Sequence, residues 1–283
     1  MTPIPPYEAY ERAARGAARK RYARAWGPLM IALALFGGGV GAFFATESRI
    51  VTGLLGAAIG AAAGLGIHQI LVWSKTTSDA EAAYASAWCT QYGLRYIGDD
   101  YEIANGPFAT SGHNRQWTDA IEGQVGGLMT LFYNYSYHTT QSSGKSSREV
   151  EHPFKVMRIM GPQLPVASLA FSRRGMFGEF EWLDKLDSAL TNQRDIELES
   201  VDFNETFKLE VSDTADEIWI RRVFDPETID ALVSGRMQFP NISYWDGCFW
   251  LWENRHFKIK ELDALLPWQA VAVPAVAHLS RVR

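Results

Sequence analysis

The chain has 283 residues, 47% hydrophobic and 13% aromatic, with 27 Lys and Arg against 32 Asp and Glu. Beyond residue 73 there are 20 basic residues against 29 acidic ones, net −9, and a domain of that sign without a basic stripe is a poor nucleic-acid binder. The two cysteines, Cys89 and Cys248, are far apart and lack a CxxC partner, so neither a disulfide framework nor a zinc site is implied.

Two apolar runs stand near the start, residues 27–46 and 50–73, separated only by Glu47, Ser48 and Arg49. Each is about the ~20 residues that a helix needs to cross a bilayer. Arg12, Arg15, Arg19, Lys20, Arg21 and Arg24 precede them, and Trp26 and Trp73 sit at their ends. The expectation is a basic arm (1–26), a two-helix transmembrane hairpin (27–73), a helical stalk (74–93) and a cytoplasmic domain (94–283). The Lys/Arg excess places both termini on the cytoplasmic side of the membrane. Membrane lipid is then one partner, and reduced thiols fit such a compartment. A secretory signal fits less well, because Phe43 stands where a cleavage site wants a small residue and a second apolar run follows at once. A hairpin buried in a core is the other alternative. Gly56, Gly60 and Gly64 fall at steps of four and form a helix-packing face, within the hairpin or between protomers. His68 lies near the predicted interface, where a solvated histidine is the simplest reading.

The soluble part reads as α+β. An Ala-rich helical stretch over 78–92 stops at Gly93, and 94–97 starts a strand. From Trp117 to Phe171 the texture is β, with the aromatic stretch LMTLFYNYSYH over 128–138. Strands at 154–160 and 167–171 follow. TTQSSGKSSRE (139–149), between the 128–138 stretch and the strand at 154–160, reads as a mobile polar tip without the chemistry of a two-residue turn. Residues 180–190 read as a short helix, 196–200 and 207–211 as strands, and 214–224 as helical. Asp225 caps a helix that opens with Pro226 and stops at Gly235. Asp246-Gly247 between ISYW and CFWLW is a hairpin signal, and the second strand, apolar on both faces, belongs at a sheet centre. Trp250 and Trp252 fit core packing better than a ligand platform. A last helix covers 261–268, before Pro274. The 210 residues of the soluble part (74–283) suffice for one large domain or for two subdomains with a boundary near 175–195.

Motifs for chemistry are thin, and no cofactor, catalytic residue or metal ligand is implied. Gly144-Lys145-Ser146 lacks the upstream glycine and following helix of a phosphate loop. His113, His138 and His152 with Glu149 or Glu151 show no metal-ligand spacing. There is no GxSxG elbow. Glu179, Glu181, Asp184 and Asp187 read as a solvated helix face, Asp99, Asp100 and Glu102 as an acidic turn, and Arg173-Arg174 as a surface pair.

The stretch DIELESVDFNETFKLEVSD (195–213), followed by Phe224-Asp225-Pro226, resembles an uncharacterised bacterial family of two-helix membrane proteins, DUF3137-like. LFYNYSY, the polar loop and Gln163-Leu164-Pro165 are similar to that family's order of elements. The spacing of Glu199, Ser200, Phe203, Asn204 and Phe207 carries the likeness. It implies a bacterial inner-membrane protein and no activity. Read from the residues alone, Phe203 and Phe207 pack back on the core and Asn204 bonds a nearby backbone, a structural signature.

Three functions are open at this point. The first is a membrane-anchored cytoplasmic binding or scaffold module with a protein partner or a homo-oligomeric state. The second is a membrane-tethered enzyme for a small or lipid-derived substrate, which would need a pocket gathering the histidines with carboxylates. The third is a glycine-zipper oligomer, which ranks last because neither apolar run carries polar residues to line a pore.

Overall fold

Strand pairing in this chain follows the turns that its residues allow. The structure, a computed structural model, describes residues 4–44, 49–99, 112–143, 146–174, 193–238 and 240–281, and only some of the side chains in the first two helices. Gly126 and Gly127, at φ 58° and 82°, close a two-residue hairpin between Val125 and Leu128. Asp246 and Gly247, at φ 51° and 71°, close another between Trp245 and Cys248. Left-handed residues at both central positions match the right-handed twist of paired strands. The second hairpin is the one its Asp-Gly signal announces; the Gly-Gly signal of the first is equally present in the sequence.

The strands are β1 (Leu94–Gly98), β2 (His113–Val125), β3 (Leu128–Ser143), β4 (Ser146–Met160), β5 (Ser168–Arg173), β6 (Gln193–Asp195), β7 (Phe207–Ser212), β8 (Ile242–Trp245) and β9 (Cys248–Glu253). They form one nine-stranded sheet in the order β1-β2-β3-β4-β9-β8-β5-β7-β6, every neighbouring pair antiparallel. β9 is the central strand and Cys248, Phe249, Trp250 and Leu251 are buried, as its two apolar faces require. Strands on both sides of 175–195 share this sheet. The expected helix at 180–190 and the acidic residues within it lie outside the described residues, as do Asp100 and Glu102.

Six α-helices complete the described chain: α1 (Tyr7–Phe44), α2 (Arg49–Gln91), α3 (Val201–Thr206), α4 (Glu217–Val223), α5 (Pro226–Val233) and α6 (Leu265–Leu279). The chain divides into two compact units, Met1–Trp88 and Cys89–Arg283. In the first, the rings of Tyr7 and Tyr10 meet Tyr84 edge-on at 5.7 and 5.6 Å. Ile31, Leu35, Phe36, Leu54, Ile59 and Trp73 are exposed on its helices.

The expected architecture, a transmembrane hairpin followed by a mixed domain, is corrected in both parts. The β-rich part is built on a single antiparallel sheet. Among the described residues, the one helical stretch long and apolar enough to cross a membrane is Ile259–Leu279, near the other end of the chain. The expected two-span, inner-membrane placement is overturned with it. Residues 27–44 and 49–73 belong to helices of 38 and 43 residues that extend past residues 26 and 73 into polar sequence. About a third of the apolar window in the Ile259–Leu279 stretch is buried. Val273 closes against Gly126, Val276 lies beside Gly161, and Ala272, Ala275 and Leu279 are buried.

Several local expectations are sharpened. Asp225 accepts from the Thr228 N–H at 2.8 Å, which holds its carboxyl below the usual range, and Gly235 takes φ 73° after α5. α6 runs through Pro274 instead of stopping before it, held past the missing N–H by the buried residues on either side. Residues 196–200 do not form a strand. Only Ile196 keeps a ladder bond, to Leu209 O at 2.8 Å, because the backbone of Leu198 is taken by a side chain described below. The polar segment after residue 138 is strand up to Ser143 paired with Ser146, so only two residues link β3 to β4. This corrects the expectation of a longer polar tip without a two-residue link.

Candidate functional site

β3 and β4 pair without interruption from Met129↔Met160 to Ser143↔Ser146. Their neighbours are shorter. β2 follows β3 only as far as His113↔His138, and β9 follows β4 only from Met160 to Lys155↔Glu253. Among the described residues, 139–143 and 146–150 therefore pair with each other alone. Thr140, Gln141, Ser142, Ser147, Arg148 and Glu149 are exposed. The result is a polar two-stranded ribbon projecting from a braced sheet.

The three histidines meet at the base of this ribbon, but on opposite faces. Side chains alternate along a strand, so Tyr137 and Thr139 share a face with His152, while His138 shares the other with Glu149 and Glu151. His152 stacks on Tyr137 at 4.8 Å and its Nε2 lies 2.9 Å from Thr139 Oγ1. Burial, and secondarily His138, pushes its pKa down. On the other face, His113 Nε2 is 3.3 Å from Glu149 Oε1, the His113 and His138 rings are 6.4 Å apart, and His138 Nδ1 is buried without a hydrogen-bond partner. Among the described residues no three His, Cys, Asp or Glu side chains are placed to hold a metal.

Below the base, a polar knot fixes the hairpin to the rest of the sheet. Asn134 is 2% exposed, yet its carboxamide is engaged on both sides. It accepts from Phe257 N–H and donates to Phe257 O, both at 2.9 Å, and its second N–H reaches Asp119 Oδ2 at 2.9 Å. Asp119 sits at φ 57°, where the β2–β3 register shifts, and also meets the Tyr96 hydroxyl at 3.3 Å. Burial raises its pKa, opposed by the Asn134 bond and reinforced by Asp99. Beside the knot, Lys155 is 3% exposed; its ammonium lies 3.0 Å from Glu253 and 4.0 Å from the centre of the Trp268 ring. Burial pulls the Lys155 pKa down against the pull of Glu253. The sequence reading passed over Asn134 and Asp119. Their signal was a carboxamide in the middle of an aromatic strand.

The motif Glu199, Ser200, Phe203, Asn204 and Phe207 gathers around one turn. Ser200 Oγ caps α3 by accepting from Phe203 N–H at 3.2 Å. Asn204 accepts from Leu198 N–H at 3.0 Å and donates to Leu198 O at 2.6 Å. Phe203 and Phe207 are buried, with rings 5.2 Å apart and Phe171 and Phe224 against them. Glu199 projects outward to Arg221. Arg174 donates to the carbonyls of Asn204 and Phe207 at 2.6 and 3.0 Å, so this arginine ties down the turn. Gly56, Gly60 and Gly64 all lie in α2, and the surroundings of Gly60 and Gly64 are outside the described residues, as are those of His68 and the positions of Gly144 and Lys145. Cys89 and Cys248 are free and buried; burial pushes the Cys89 thiol up to about 12, and Arg158 Nη2 lies 3.2 Å from Cys248 Sγ. A cavity of about 370 Å3 opens between the loop after α5 and α6, lined by Met237, Val271 and Pro274 among others, away from the histidines.

No family model and no curated protein matches the chain. Among solved structures, the crystal structure of the mycobacterial trehalose monomycolate transport factor A, TtfA, is similar over 71% of this chain and 95% of that chain, with 10% sequence identity and a TM-score of 0.43. Agreement of that size does not establish a shared fold.

Proposed function

We propose that this chain is a non-enzymatic binding or scaffold module that engages a protein partner through the β3–β4 ribbon. The observation that carries the reading is that, among the described residues, strands 139–143 and 146–150 run on past both neighbours. An isolated two-stranded ribbon is marginal in water and buries little apolar surface of its own. Its cost is recovered when a second protein packs against it. The enzyme alternative needed a pocket gathering His113, His138 and His152 with carboxylates, and the alternation of β3 and β4 puts His152 on the face opposite His113 and His138.

The test shortens the ribbon in the full chain by joining Thr139 to Val150, already cross-strand partners, through Asn-Gly. Proteins cross-linked to the chain in cells are then compared between this variant and the original. The expected result is loss of a discrete set of cross-linked partners with the melting transition retained. An unchanged set would overturn the reading.

A further inference from the structure

We propose that the outer edge of β4, over residues 147–153, is completed by an extended segment of a protein partner that carries Lys or Arg at every second position. The inference rests on the binding-module reading above and names the chemistry of the partner. Along β4 the neighbour β9 stops at Glu253, opposite Lys155. The chain then leaves this line: Arg255 N–H turns back to Glu253 O at 2.8 Å, and Phe257 is held by Asn134. Among the described residues, no strand continues beside 147–153. An edge of that kind offers main-chain donors and acceptors at strand spacing, which an extended peptide takes up by adding a strand.

Side-chain alternation sets the composition of the added strand. Glu149, Glu151 and Lys155 share one face of β4, and both glutamates are exposed. β9 already shows the pairing rule on this face, with Glu253 placed opposite Lys155 at 3.0 Å. Continued outward along the same line, alternate residues of the guest fall opposite Glu151 and Glu149, where cations are favoured and anions repelled. The same charges exclude a second copy of this edge, because two such edges would set glutamates against glutamates. Pro153 offers no N–H and marks the inner end of the seat, as proline does on unpaired strand edges.

The probes are two synthetic ten-residue peptides, one alternating Lys with Thr and Val, the other with Glu in place of Lys. Each is titrated against the full chain while backbone amide exchange is followed along β4. The Lys peptide should bind, slow exchange at amides within 147–152, and bind about tenfold more weakly to the Glu149→Lys/Glu151→Lys variant. Equal binding of the Glu peptide, protection only elsewhere, or no binding of either peptide would overturn the proposal. Both substituted positions are exposed, and an unchanged melt confirms that the variant folds. The cross-linked partners separate the two levels of the argument. If the charge-reversed variant keeps them and the shortened ribbon loses them, strand addition at this edge fails and the binding reading stands. If both variants keep them, the binding reading fails as well.

Discussion

The β3–β4 hairpin is two different objects along its length. From Met129 to His138 its strands have β2 on one side, and from Lys155 to Met160 β9 on the other. There Tyr133, Tyr135 and Phe154 are buried on one face, and Asn134 and Lys155 on the other. Beyond that the same two strands keep their register to Ser143↔Ser146 with neither neighbour among the described residues, and their side chains become Thr, Gln, Ser, Arg and Glu. The backbone pairing is the same in both halves. What differs is how much side-chain surface leaves water, and that quantity sets local stability. The braced body is where substitutions should cost stability, and the ribbon is where they should cost binding.

The largest effect is expected outside the hairpin, in the aromatic cluster around α3. Phe203 is 1% exposed and touches Phe171, Phe207 and Phe224. Phe203→Ala should destabilise the chain by about 3–5 kcal/mol in denaturant unfolding, because the ring's contacts and a cavity are both lost. An unshifted midpoint would mean that this cluster is not a core. Next comes Asn134→Ala, which strands the N–H and C=O of Phe257 and a carboxylate oxygen of Asp119. At about 1 kcal/mol for each unmet group, the low end of the usual range, a total of about 3 kcal/mol is expected, with faster exchange at the Phe257 amide. Gln141→Ala on the ribbon, run alongside, should stay within about 0.5 kcal/mol. If Asn134→Ala were equally silent, the knot would not be what joins hairpin to sheet.

Much of the body was legible in the sequence. Asp246-Gly247, the doubly apolar CFWLW strand and the Asp225-Pro226 cap each state a local rule that nothing distant overrides. The Asn204 bond to a neighbouring backbone was legible for the same reason, since Leu198 lies only six residues away. Asn134 was not, because its partner Phe257 is 123 residues downstream and only the folded sheet brings them together. Two long apolar runs suggested a membrane hairpin from length and composition, a test that measures neither where a helix ends nor what packs on it. The Ile259–Leu279 stretch passes the same test while α6 within it packs against Gly126 and Gly161 of the β-rich part. The histidines at the ribbon base were weighed as a metal site and set aside for want of ligand spacing, and spacing could not say that strand alternation would part them.

A smaller effect sharpens the boundary between body and ribbon at its last braced pair. Lys155 is buried, while Glu253 is 37% exposed and also meets Arg255 at 3.1 Å. Glu253→Gln leaves the ammonium buried with only a neutral acceptor and the Trp268 face. Because the carboxylate is partly solvated, the loss should be about 2 kcal/mol, below the range for a fully buried pair. The double variant Lys155→Met/Glu253→Leu should recover most of it, since an apolar pair of similar size needs no desolvation. A double variant as weak as the single one would show that this pair holds β9 to β4 through its charge.

The smallest effect belongs to the ribbon itself and depends on pH. His152 titrates below its ordinary value because burial, and then His138, disfavour the charged ring. In an opened ribbon the same imidazole would titrate near 6.5. The open state therefore takes up a proton first as pH falls, so the closed ribbon is favoured above about 6.5, loses stability as pH drops toward the lower folded value, and then levels off. Amide protection factors in 139–143 and 146–150, corrected for the intrinsic pH dependence of exchange, should fall over that interval while those of β9 hold steady. His152→Phe keeps a ring against Tyr137 but cannot titrate, and it should flatten the profile. A His152 titration at or above 6.5, or an identical profile in the phenylalanine variant, would place the source of any pH response elsewhere and leave the ribbon's stability to its backbone pairing alone.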